Sequence, residues 1–291
     1  MSASARLSLS SATPILFALA SLVAMTSFTA QASENAGIAV KSEVPGLMIT
    51  RLGKLPKAPQ PVSPATTCNV LPELKSKGGS LATSLGWGVT GEAKLGPYDA
   101  VSFADEFDQS TSGSCEIDQG NVALFNGSQL LAIVYADKNS KLSIGRITAI
   151  KDRLRILDGG LVSMPVGEIR LAEDQTVKVE PLAAEELVCD GKATVPNVYD
   201  KPITDVRRAI MAKGWEPFQS PPPSYPDPSG DDIRKTGIVE ATDCSGTGFA
   251  YCSYYYHKGD MELSVISFGD GTPTVSGYDV ACERPNWHKP D

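Results

Sequence analysis

Histidine is scarce: His257 and His288 are the only two in 291 residues. That scarcity works against sites built on imidazole, whether a general base poised near neutral pH or a histidine-rich zinc centre. Close Cys-x-x-Cys pairs are missing too, so a thiolate zinc site has no footing. No glycine-rich loop sits between a strand and a helix as a phosphate cradle requires. No Gly-x-Ser-x-Gly elbow occurs, and no Asp-x-Asp-x-Asp-Gly calcium loop. The expectation is a chain without cofactor or metal ion.

Positive charge is also in deficit. Lys and Arg total 26 against 34 Asp and Glu, a net charge of −8. Nucleic acids and anionic membranes both demand basic surface, so neither is an expected partner. Long apolar runs are confined to residues 15–25. That run is about half of the ~20 residues a spanning helix needs. Arg6 precedes it, no acidic residue does, and Ala30-Gln31-Ala32 follows as a small-x-small cleavage site. Residues 1–32 therefore read as a cleavable secretory signal, with Ser33 opening the mature chain. Without Arg6 the balance is 25 basic to 34 acidic groups, a net −9. A periplasmic or secreted protein with no later membrane span is expected.

What is present fits that compartment. All six cysteines follow the signal: Cys68, Cys115, Cys189, Cys244, Cys252 and Cys282. An even number in an exported chain reads as disulfides. Organisation sets the pairing. Cys68 and Cys115 share the first half, Cys189 and Cys282 bracket the second, and Gly246 and Gly248 let Cys244 close on Cys252.

The chain reads as α+β, mainly β, with an N-terminal β-rich domain before a small helix-on-antiparallel-sheet domain. Residues 33–65 hold Pro45, Pro56, Pro59, Pro61 and Pro64, which predicts an extended, poorly packed linker. Residues 66–187 form the first domain. Its clearest element is a hairpin of 122–125 and 130–135 around Asn126-Gly127, a pair suited to a type I′ turn. Both faces of those strands are apolar, so the hairpin is expected to be central and covered on both sides. Residues 144–150 and 153–157 pair next, with Arg153 and Arg155 on a solvent face. Val177-Lys178-Val179-Glu180 alternates likewise. Short helical turns are expected at 72–75 and 181–188.

Residues 188–285 form the second domain, followed by a tail at 286–291. Residues 194–199 make an edge strand interrupted by Pro196. The best helix spans 205–213, capped by Thr204 and stopped by Gly214. Val206, Ala209 and Ile210 share its buried face, with Trp215 close behind. Arg207, Arg208 and Lys213 are expected in solvent. After a proline-rich loop come strands at 249–256, 261–268 and 275–282, joined by turns at 257–260 and 269–273.

Val195-Pro196-Asn197-Val198, then a helix ending Ala212-Lys213-Gly214-Trp215, resembles the opening of a PASTA domain. Lys258-Gly259, Leu263, Val265 and Ser267 are similar to that family's closing strand. The resemblance covers residues 194–267, under a third of the chain. The proline-rich insertion, the Cys244–Cys252 segment and the strand at 275–282 stand outside the family pattern. It implies an association with cell-wall peptides.

Aromatic residues are 7% of the chain yet crowd at Phe249, Tyr251, Tyr254, Tyr255 and Tyr256. On a strand Tyr254 and Tyr256 share a face with Cys252, and Tyr251 and Tyr255 share the opposite one with Phe249 and His257. One face packs under the helix; the other is a candidate binding strip of Tyr251, Tyr255 and His257. Asp105, Glu106, Asp108, Glu116 and Asp118 are read as solvated loop charge. No catalytic residues are assigned. The expected function is that of a non-catalytic extracytoplasmic binding protein acting on an envelope component or exported protein. The alternatives are an inhibitor or immunity protein of an envelope hydrolase, and a carboxylate-based hydrolase whose two acids converge in one cleft.

Overall fold

The computed structural model describes residues 38–63, 75–110, 115–220, 225–245 and 248–285. The signal, Cys68, residues 72–74 of the turn expected at 72–75, His288 and the tail lie outside the described residues. The described ones all belong to one compact unit that begins at Gly37. The chain is mainly β with several antiparallel sheets, and three helices lie among the described residues.

Strands β1 (Val40–Ser42) and β2 (Leu47–Arg51) come first, then helix α1 (Lys77–Ser84). Next are β3 (Gly88–Leu95), β4 (Tyr98–Ala104), β5 (Glu106–Gln109), β6 (Cys115–Asp118), β7 (Asn121–Asn126) and β8 (Gln129–Ala136). The first half closes with β9 (Arg146–Ile150), β10 (Arg153–Leu157), β11 (Pro165–Leu171) and β12 (Val177–Glu180). They build two five-stranded sheets, ordered β2-β8-β7-β4-β3 and β1-β12-β11-β10-β9, while β5 and β6 form a separate hairpin. Leu47, Val122, Leu124 and Val134 of one sheet share a core with Leu154, Ile156, Ile169 and Val179 of the other. Alternate residues of β4 and β7, namely Val101, Phe103, Ala123 and Phe125, point the other way, towards Ala82 of α1. The β7–β8 hairpin is thus central and covered on both faces, as its unbroken apolar pattern requires.

Several expectations change. The hairpin turns at Gly127-Ser128, because Asn126 pairs with Gln129. Gly127 has φ +62° and Ser128 is not left-handed, so one positive φ suffices where type I′ needs two. The supposed linker is built into both sheets: β1 runs parallel to β12, and β2 pairs with β8. Leu47, Leu55 and Ala58 are buried. Proline forbids helix but tolerates extended chain, and nothing local reveals that strands 80 or more residues away will accept it. Helix α1 was not foreseen because it contains Gly78 and Gly79. A Cβ at Gly78 would sit 2.4 Å from the Phe125 ring, so glycine allows the helix to lie on the sheet.

The second half contains β13 (Glu185–Val188), β14 (Ala193–Pro196), α2 (Ile203–Ala212), β15 (Glu216–Pro217), α3 (Pro228–Lys235) and β16 (Ala241–Thr242). It ends with β17 (Cys252–Lys258), β18 (Met261–Phe268) and β19 (Thr274–Ala281). Strands β13 and β14 pair alone; β15, β17, β18 and β19 form an antiparallel sheet in that order, with β16 also on β17. Val206 and Ile210 of α2 pack with Trp215, Tyr254, Tyr256, Leu263 and Val265. Trp215 is fully buried and its Nε1 donates to the Thr194 carbonyl at 2.9 Å. Truncating such a side chain costs about 3–5 kcal/mol. Cys189–Cys282 and Cys244–Cys252 are bonded as expected, and Cys115 is also disulfide-bonded.

The 181–188 stretch holds no helix: its second half is strand β13, and the boundary placed at 187/188 falls inside that strand. Helix α2 starts earlier, at Ile203 behind Pro202, with Thr204 inside it. Helix α3 replaces part of the proline-rich loop: Asp227 caps it by accepting from Gly230 N at 3.0 Å, and Pro228 occupies its first turn. Two arginines expected in solvent are engaged. Arg207 Nε meets Oε1 of the wholly buried Glu240 at 2.6 Å. Arg155 is 4% exposed, because the polar face of its sheet is covered by the second half.

Candidate functional site

The aromatic segment divides as strand geometry demands. Tyr254 and Tyr256 lie opposite Val265 and Leu263 and are fully buried beneath α2. The Tyr256 hydroxyl donates to Glu240 Oε1 at 3.0 Å, and burial with that carboxylate raises it far above an ordinary phenol. Tyr255 and His257 lie opposite Ser264 and Glu262 on the other face, half-buried, with Ile266 exposed beside them. Burial, reinforced by Asp243, raises the Tyr255 hydroxyl.

His257 is not in the turn but in β17, and Gly259-Asp260 make the turn. Its Nε2 stands 3.4 Å from the Glu216 carboxylate, and the Phe218 ring meets it edge-on at 6.0 Å. Arg284 lies over the ring of that phenylalanine, 5.6 Å from its centre. Tyr251 lies before the strand, because Ala250 at φ +50° breaks the extended run. It is held inside the Cys244–Cys252 loop: its N–H donates to Ser245 Oγ at 2.9 Å and its carbonyl accepts from Ser245 N at 2.7 Å. Phe249 packs edge-on against it at 5.9 Å. Of the three candidate residues, Tyr255 and His257 share the sheet's outer face, while Tyr251 sits on the stapled loop before the strand.

Two concavities were not legible in the sequence. One, about 380 Å³, lies where the halves meet, lined by Lys151, Arg153, Arg155, Glu186, Tyr199 and Tyr278. Arg155 donates to Glu168 Oε1 at 2.7 Å, to the Tyr199 hydroxyl at 2.7 Å and to Glu186. Tyr278 completes the network by donating to Glu186. Burial, with Tyr199 alongside, pushes the Tyr278 hydroxyl up to about 12. Arg155, Glu186, Tyr199 and Tyr278 bond to one another across it, which reads as a latch between the halves.

The second cleft, about 680 Å³, opens at one end of the first sheet. Asp105 and Asp118 stand at the base of the β5–β6 hairpin; Asp137, Lys138, Ser140 and Lys141 come from the loop after β8, and Trp87 and Tyr135 complete its walls. Asp105, Glu106, Asp108, Glu116 and Asp118 are expected as solvated loop charge; Asp108, Glu116 and Asp118 are exposed and Asp105 and Glu106 half-buried, and Asp105 and Asp118 line this cleft. No group of three or more potential metal ligands gathers among the described residues. No family model, curated protein or solved structure matches the chain.

Proposed function

We propose that the chain is a non-catalytic binding protein of the periplasm or extracellular space, which engages an envelope component or an exported protein through the outer face of its C-terminal sheet. One observation carries the reading. A strand with three consecutive tyrosines commits Tyr254 and Tyr256 to the core and leaves Tyr255, His257 and Ile266 turned outward. Aromatic side chains supply large contact area at small entropic cost, and their polar tips tolerate water until a partner arrives. The disulfides suit an oxidising compartment. No helix among the described residues is long and apolar enough to cross a membrane. The resemblance of residues 194–267 to PASTA modules points in the same direction, to cell-wall peptides.

The test is capture from envelope extract on the oxidised protein lacking residues 1–32, in parallel with a Tyr251→Ala/Tyr255→Ala variant. A component retained by the first and lost by the second is expected, at unchanged thermal stability. Equal retention by both would remove the face from the reading. If the captured component is a hydrolase whose activity falls on binding, the protein acts as its inhibitor.

A second reading rests on the cleft that holds Asp105, Asp118 and Asp137. Convergence of carboxylates is what an acid–base hydrolase requires. Turnover of an oligosaccharide that disappears in Asp105→Asn and Asp118→Asn would establish it.

A further inference from the structure

We propose that the cleft at the end of the first sheet is a binding site for a neutral, polyhydroxylated saccharide, separate from the aromatic face and independent of it. Its size, about 680 Å³, falls within the range of small-ligand sites, roughly 300–1,000 Å³. Among the described residues, the side chains of Asp105, Asp118, Gln119, Tyr135, Lys138 and Lys141 line one concavity and engage no hydrogen bond or ion pair within the chain; Asp105 and Tyr135 are half-buried and the other four are exposed to solvent.

The unused groups define the ligand. Two carboxylates only accept, two ammonium groups only donate, and an amide and a phenol do both. A divalent cation would use the carboxylates and be repelled by the lysines; a phosphate would do the reverse. Hydroxyl groups donate and accept at once, so a ring that carries several satisfies both kinds of partner without net charge. Tyr135, half-buried on β8, and the edge of Trp87 add an apolar surface for the C–H face of a sugar. The cleft is held open by the fold rather than by the ligand. Trp87 Nε1 is tied to the Pro56 carbonyl at 2.8 Å and its ring packs on Phe103 at 4.9 Å. Asn121 Nδ2 donates to the Gln119 carbonyl at 2.8 Å, and Asp137 accepts from Asn139 N at 2.8 Å.

Saturation-transfer NMR and calorimetry on the oxidised protein, with maltotetraose, cellotetraose and N-acetylchitotetraose as probes, test the site. Saturable one-to-one binding of at least one probe is expected. Asp105→Ala/Asp118→Ala should weaken it about tenfold, the loss of one or two charge-assisted hydrogen bonds. Because neither carboxylate has a partner to lose, that variant should melt with the wild type. Tyr251→Ala/Tyr255→Ala should bind the saccharide unchanged, which keeps this site distinguishable from the aromatic face. Absence of saturable binding to all three probes at millimolar concentration by the folded protein would overturn the proposal. So would equal binding by the Asp105→Ala/Asp118→Ala variant, or displacement of the probe by a zwitterionic dipeptide.

Discussion

Arg155 of β10 and Glu186 of β13 form an ion pair across the junction of two halves that share no core. One core draws on nothing before Val188, and the two others on nothing after Val179. The halves therefore meet through charge and hydroxyl groups rather than through a shared apolar core. Arg155 is 4% exposed and Glu168 3%, so each depends on the other for the solvation it has lost. Removing one member should cost more than the pair contributes.

Arg155→Met is accordingly expected to destabilise by about 3 kcal/mol, since Glu168 is left buried with Arg153 alone. Urea denaturation at neutral pH measures it. A change within about 0.5 kcal/mol, the usual surface value, would mean that water reaches Glu168.

The same junction predicts alkaline sensitivity. Burial raises Tyr278 to about 12 and raises Tyr199 in the same direction. Folded Tyr278 thus keeps its proton more tightly than an unfolded tyrosine of pKa ~10. Its stabilising effect is complete below about pH 10 and is lost as pH rises towards about 12. Tyr278→Phe should flatten that part of the stability profile, read by thermal melting across the range. An unchanged slope would place the alkaline loss elsewhere.

Disulfide removal should rank by loop length. Cys189–Cys282 spans 93 residues and Cys244–Cys252 spans 8. Chain entropy alone assigns about 4.7 kcal/mol to the first and about 2.6 kcal/mol to the second. Paired serine variants, compared by denaturation, check the order. Peptide mapping without reduction checks the bonds, and a Cys115–Cys189 link would contradict them.

Adjacent tyrosines should respond oppositely. Tyr254 is fully buried, and its hydroxyl accepts from Ser267 Oγ at 3.3 Å. Tyr254→Ala is expected to cost about 3–5 kcal/mol, the usual penalty for an aromatic core truncation. Tyr255→Ala should cost far less and should instead weaken capture of the partner. If Tyr255→Ala unfolds the protein, the outer face is core and the proposed function loses its surface.

Local signals in the sequence settled a good deal. Apolar runs around a tight turn placed β7 and β8, period-two alternation placed β10 and β12, and turn residues between strand-like runs placed β17, β18 and β19; strand geometry, which sends successive side chains to opposite faces, told the buried Tyr254 and Tyr256 from Tyr255. Cysteine order was enough for Cys189–Cys282 and Cys244–Cys252. Tertiary structure decided whatever depended on a distant partner. The proline-rich segment became β1 and β2 because β12 and β8 had open edges to accept it. Gly78 and Gly79 became helical because Phe125 and Glu92 fill the space their side chains would take. Arg155 and Arg207 left the solvent because Glu168, Glu186 and Glu240 were brought to them from 13, 31 and 33 residues away. The cleft of Asp105, Asp118, Tyr135 and Asp137 arose in the same way. A residue's periodicity is set by its own backbone, whereas its counter-ion and its neighbours across a cleft are set by how the whole chain closes.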